Sequence, residues 1–107
     1  MMPWKQYLQT LSFSRVCITS PNLGLINCNI MDVLDTRVML SRREIKGAAS
    51  GDMFKIDFVN SKLKGVRFAA KVTRLEESRI EVALMNCEID GSRYELNQLQ
   101  ELLERRG

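Results

Sequence analysis

Between Val16 and Leu84 the chain is written in short apolar alternations of period two, and this pattern narrows its possible folds more than any other feature. Val16 and Ile18 alternate with Arg15, Cys17 and Thr19; Ile26, Cys28 and Ile30 with Asn27 and Asn29; Val38 and Leu40 with Arg37, Met39 and Ser41. Phe54, Ile56 and Phe58 oppose Lys55 and Asp57. Val66, Phe68, Ala70 and Val72 oppose Arg67, Ala69, Lys71 and Thr73, and Ile80, Val82 and Leu84 oppose Arg79 and Glu81. Successive side chains of a strand point to opposite faces, so each run predicts a strand with one buried face. The joins are short and polar: Pro21-Asn22-Leu23-Gly24, a bend at Asp35-Thr36, then Asn60-Ser61-Lys62 and Glu76-Glu77-Ser78. Such joins suit antiparallel hairpins. Arg42 to Ser50 reads as a longer loop ending at Gly51-Asp52. A flat sheet would leave every apolar face wet. Curling six strands into a barrel buries those faces against one another and removes open edges.

Helical spacing flanks the strands. Pro3 suits the first turn of a helix, and Trp4, Tyr7, Leu8 and Leu11 follow on one face. A helix this short is unstable alone and must pack on something. In the tail, Ser92-Arg93-Tyr94-Glu95 has the S-x-x-E form of a capping box. Leu96, Leu99, Leu102 and Leu103 form a stripe, Arg105 and Arg106 suit the helix C-terminus, and Gly107 ends it. The expected fold is mainly β: a six-stranded antiparallel barrel with a C-terminal amphipathic α-helix and a short N-terminal helix. One domain spans 1–107, with an arm or helix over 1–12, the barrel over 13–86 and the C-terminal helix over 92–106. The tail helix is expected to plug one barrel mouth or pack on the barrel wall; as a coiled-coil seam it falls short of two heptads.

The 107 residues suffice for a single core without staples. The net charge of +3 is well below the field of a dedicated nucleic-acid binder. There is no histidine, which removes the usual general base and the commonest metal ligand. No G-x-S-x-G, P-loop or H-E-x-x-H occurs, so the chain is expected not to be an enzyme and to need no cofactor or metal. Cys17, Cys28 and Cys87 are odd in number and unpaired in spacing, and read as small hydrophobes. The first residues lack the basic and apolar regions of a signal peptide, and no apolar run could span a bilayer, so a cytoplasmic location is expected.

The order of landmarks resembles the PilZ family. Six strands precede one amphipathic helix. An arginine stands before the first strand, an acid at the end of the second, and a short strand follows a tight bend. Then come the apolar alternation Gly51-Asp52-Met53-Phe54-Lys55-Ile56-Asp57-Phe58 and the segment Ala70-Lys71-Val72-Thr73-Arg74-Leu75. The resemblance runs from about Phe13 to Leu103. It implies a bacterial receptor for cyclic di-GMP, or a relative that has lost that ligand. The family's R-x-x-x-R window falls on Leu11-Ser12-Phe13-Ser14-Arg15, keeping Arg15 but placing Leu11 where the first arginine belongs. Its D/N-x-S-x-x-G window falls on Asp32-Val33-Leu34-Asp35-Thr36-Arg37, keeping Asp32 while Leu34 replaces serine and Arg37 replaces glycine.

A lost guanidinium contact is worth about 1.5–3 kcal/mol, and with the lost serine a total of about 4 kcal/mol means nearly a thousandfold in affinity. Nucleotide binding is therefore expected to be weak or absent. The expected function is a protein–protein adaptor in bacterial cyclic di-GMP or motility signalling, acting as monomer or dimer. Its partner would dock on the head residues Trp4, Tyr7, Leu8 and Leu11, on the Arg37 to Lys46 loop, or on both. Two alternatives stand beside it. One is a cyclic di-GMP receptor with an altered site built from Arg15, Asp32, Arg37, Arg42 and Arg43. The other is a small barrel binding nucleic acid through Arg37, Arg42, Arg43 and Lys46, although the strand aromatics fall on the inner face and offer no stacking platform.

Overall fold

Each alternation forms the strand its period predicts. A computed structural model describes residues 2–59 and 62–106. Its strands are β1 (Arg15–Ser20), β2 (Gly24–Leu34), β3 (Arg37–Ser41), β4 (Met53–Asp57), β5 (Val66–Leu75) and β6 (Arg79–Ile89). All pairings are antiparallel, in the order β3-β2-β1-β4-β5-β6, and β3 returns to pair with β6. Val38 opposite Val82 and Leu40 opposite Ile80 make that seam. The result is a closed six-strand barrel, as the alternation requires. Val16, Ile18, Cys28, Ile30, Leu40, Ile56, Phe68, Val82 and their neighbours fill it.

Extra residues bend the wall. Met31 in β2, Thr73 in β5 and Met85 in β6 each sit where the register shifts. Such bulges raise the local twist and let strands curve around a small core. β2 and β3 meet through the two-residue turn Asp35-Thr36, with Asp35 at φ 55. The Glu76-Glu77-Ser78 join also forms as expected, while Asn60-Ser61 of the third join lies outside the described residues. The 42–52 loop joins β3 to β4, and its fully buried Ile45 closes one barrel end.

The tail departs from expectation. β6 does not stop near Leu84 but runs to Ile89, turns at Asp90-Gly91, and pairs with a seventh strand, β7 (Ser92–Glu95). Ser92-Arg93-Tyr94-Glu95 is thus a strand and not a helix start. The reason is backbone accounting. β3 covers only Arg79 to Ala83 of β6, so the groups of Asn86 to Ile89 need another partner, and β7 supplies it. A capping box does occur, one turn later. The Glu95 side chain accepts from the backbone at Gln98, and Gln98 Oε1 accepts from the Glu95 N–H at 2.8 Å. A 3-10 turn (Leu96–Gln98) then leads into α2 (Leu99–Arg106), not a helix from residue 92; Gly107 lies outside the described residues.

Leu99 and Leu103 of α2 are buried in the common core, so the helix plugs the barrel. α1 (Trp4–Gln9) shares that task. Trp4 stacks on Phe68 with ring centroids 5.8 Å apart, and Phe58 meets Phe68 edge-on at 5.5 Å. The Trp4 backbone N–H donates to Gln100 Oε1 at 2.6 Å, tying the two helices together. No helix among the described residues is long and apolar enough to cross a membrane.

Candidate functional site

The residues that the sequence offered for a nucleotide do not converge. Arg15 opens β1 on the outer wall, where its guanidinium donates to Asn29 Oδ1 and to the Asn27 carbonyl, both at 3.1 Å. Those acceptors lie down β2, away from Asp32, which stands past the Met31 bulge about 10 Å further along the strand. Asp32 turns its carboxylate back to accept from the Val33 N–H at 2.8 Å. Arg37 heads the opposite way, with Nη1 3.9 Å from Glu81 of β6. Arg42 donates to the Glu76 carbonyl at 2.6 Å, at the β5–β6 turn. Arg43 is exposed in the loop. Arg15, Arg37 and Arg42 are thus spent on separate protein acceptors.

The head residues divide. Trp4 and Leu8 are buried in the core and present no surface to a partner, whereas Tyr7 and Leu11 are half-buried. Packing explains this: Trp4 and Leu8 enter the core, and Leu11 packs against its edge. What the sequence windows do expose is apolar. Phe13 is 80% exposed and Leu34 64%, and Met31 is also exposed. The Phe13 N–H donates to the Ile30 carbonyl at 2.7 Å, which sets it beside the bulge. Its φ of 69 is left-handed, a strain of about 1–2 kcal/mol for a residue with a Cβ. Met31, Leu34 and the half-buried Met39 share the outer face of β2 and β3 with Phe13 at its border. Leu11, Phe13 and Leu34 occupy the two windows that the resemblance assigns to ligand binding, so the wall is greasy where charge and small polar groups were expected.

A second feature lies on the opposite wall and was not foreseen. Ala69 of β5 sits directly between Lys55 of β4 and Asn86 of β6. One methyl between two long side chains leaves a depression of about 200 Å³, lined also by Thr19, Pro21, Met53, Phe54 and Arg93. Asn86 Oδ1 is buried there without a hydrogen-bond partner. Such an atom costs about 1–3 kcal/mol. The one sequence signal was an alanine at an outward position of a strand. A wider, open depression of about 310 Å³ lies beside it, lined by Asp57, Gly65, Arg67, Glu88, Asp90 and Gly91. Its charges are largely spent: Arg67 pairs with Asp57 at 3.2 Å and Glu88 with Lys55 at 2.5 Å.

Compared with known proteins, the chain matches no family model and no curated protein. The hydrogen bond from Lys55, with help from Arg67 and Arg93, holds the Glu88 carboxyl below its usual range despite partial burial. Burial pushes the Cys28 thiol up to about 12, with Glu44 adding to the rise, and burial raises Cys87 as well. Both thiols stay protonated near neutrality, which makes them packing residues and not nucleophiles. No group of acids and cysteines suited to a metal ion occurs among the described residues.

Proposed function

We propose that this chain is a PilZ-like binding module of bacterial cyclic di-GMP or motility signalling that works as a protein–protein adaptor, with little or no nucleotide binding. The observation that carries this reading is the exposed apolar surface of Phe13 and Leu34, which fall in the windows where the resemblance places the ligand, together with Met31 beside them. A protein partner suits such a surface, since aromatic and methionine side chains gain most from being covered. Asp32 and Arg37 border it and supply polar selectivity. A nucleotide suits it poorly. Recruiting Arg15 or Arg37 means breaking the Arg15 hydrogen bond to Asn29 or drawing Arg37 away from the Glu81 carboxylate. The chain reads as a binder and not a catalyst, and the cytoplasm is the compartment that fits its three free cysteines.

Calorimetry with cyclic di-GMP at near-physiological salt tests the nucleotide half: heats of weak binding or none are expected, and tight one-site binding rejects it. For the adaptor half, a protein captured from bacterial lysate by the native chain should be lost with Phe13→Ser/Leu34→Ser. Equal capture by that variant moves the docking surface elsewhere.

A further inference from the structure

We propose that the depression over Ala69 is a binding site for a small hydroxyaryl carboxylate, separate from the docking surface on β2 and β3. Size sets the first limit. A cavity of about 150 Å³ accepts benzene, so about 200 Å³ accepts one ring with short substituents and is far too small for a dinucleotide. Charge sets the second. The lining holds two cations, Lys55 and Arg93, and no acid. Lys55 is engaged by Glu88. The exposed Arg93 stands opposite Glu88 and its charge acts on that carboxyl, yet it makes no hydrogen bond or ion pair among the described residues, so the donors of its planar fork are left for a carboxylate. The floor and sides, from Ala69, Met53 and Pro21, suit an apolar ring.

The third limit is the polar group opposite Arg93. The Asn86 carboxamide and the Thr19 hydroxyl make no hydrogen bond among the described residues, and Asn86 Oδ1 is the orphan acceptor. Because Oδ1 carries almost no exposed surface, a ligand's phenol O–H reaches it only if the carboxamide makes a half-turn that exchanges the oxygen with the amide nitrogen. Asn86 faces Glu95 across β6 and β7, so Arg93 is its diagonal neighbour, with backbone positions about 7–8 Å apart, and the two side chains can reach the two ends of one substituted ring.

The probe is 4-hydroxyphenylacetate, titrated into the full isotope-labelled chain and followed by NMR. Saturable shifts are expected at Ala69, Thr19 and the Asn86 side chain, with a Kd in about the millimolar range or tighter. Phenylacetate, lacking the hydroxyl, should bind several-fold more weakly, and tyramine, which carries a cation in place of the carboxylate, should leave these signals unmoved. Arg93→Gln, a change on the exposed surface, should weaken binding at least tenfold. No saturable shift at those residues up to about 20 mM, equal binding of tyramine, or an unchanged affinity in Arg93→Gln overturns the proposal. None of these readouts depends on cyclic di-GMP or on a protein partner.

Discussion

Glu81 is the buried charge among the described residues, 8% exposed on the outer side of β6. Its carboxylate accepts from Thr73 Oγ1 at 2.8 Å, and the bulge in β5 is what brings that hydroxyl into reach. Arg37 stands further off at 3.9 Å. Removing the donor alone leaves a charge short of a partner, so Thr73→Val should cost about 1–3 kcal/mol in urea unfolding. The double variant Thr73→Val/Glu81→Leu should cost less than that single change, since it removes the need together with the donor. Cys28 gives a residue-scale pH effect. Its thiol pKa is higher in the fold than in the unfolded chain, about 12 against about 8.5. The neutral form is therefore favoured by folding, and the associated stability is complete below the unfolded value and declines as pH rises towards the folded one. The urea midpoint should fall on titration above about pH 9, with a flatter profile in Cys28→Ala. A thiol reagent should label half-buried Cys17 in the native chain and reach buried Cys28 and Cys87 only on unfolding.

At the scale of elements, the two helices behave as one lid. Trp4 joins them, stacking on Phe68 and donating its backbone N–H to Gln100. Trp4→Ala should cost about 3–5 kcal/mol, and it should speed amide exchange in both α1 and α2, not in α1 alone. If only α1 loosens, the coupling is weaker than the contact suggests. Lys55 and Glu88 link β4 to β6 over the small Ala69 of β5. The Glu88 carboxyl is held below its usual range by that hydrogen bond. A depressed carboxyl stabilises the fold above its unfolded pKa, about 4.3, and loses that contribution as pH falls through the lower folded value. Lys55→Met should therefore reduce the stability lost on acidification below about pH 4.3, by less than about 1 kcal/mol because the pair is open to solvent.

For the whole molecule, closure decides stability. The β3–β6 seam joins residues far apart in sequence, such as Arg37 and Ala83, so its loop-closure entropy is met late and folding should run in milliseconds to seconds. Val82→Pro removes a ladder donor at that seam and should unfold the barrel as one cooperative unit, seen as simultaneous loss of near- and far-ultraviolet dichroism. The strands were legible in the sequence because alternation is local. Val16, Ile18, Ile56 and Phe68 each carry their own face assignment. The β7 strand was not legible. Its residues satisfy a helix-start motif locally, and only the unpaired backbone of Asn86 to Ile89 tells against it. The candidate sites divide the same way. Asp32 and Arg15 are visible as residues, yet where their side chains turn depends on Val33, Asn29 and Asn27.

The amino-acid order by itself determined which side of each strand meets the core, and hence that six faces had to close on one another, because burial of alternate side chains is a property of a strand and its nearest neighbours. The tertiary structure alone decided which mouth the helices cover, that Trp4 and Leu8 face inward, that the β2 wall displays Phe13, Met31 and Leu34, and that Ala69 opens a hollow beside Asn86. Those outcomes depend on register between strands distant in the chain, and register is set by the seam, the bulges and the competition of edges for partners, none of which a local pattern contains.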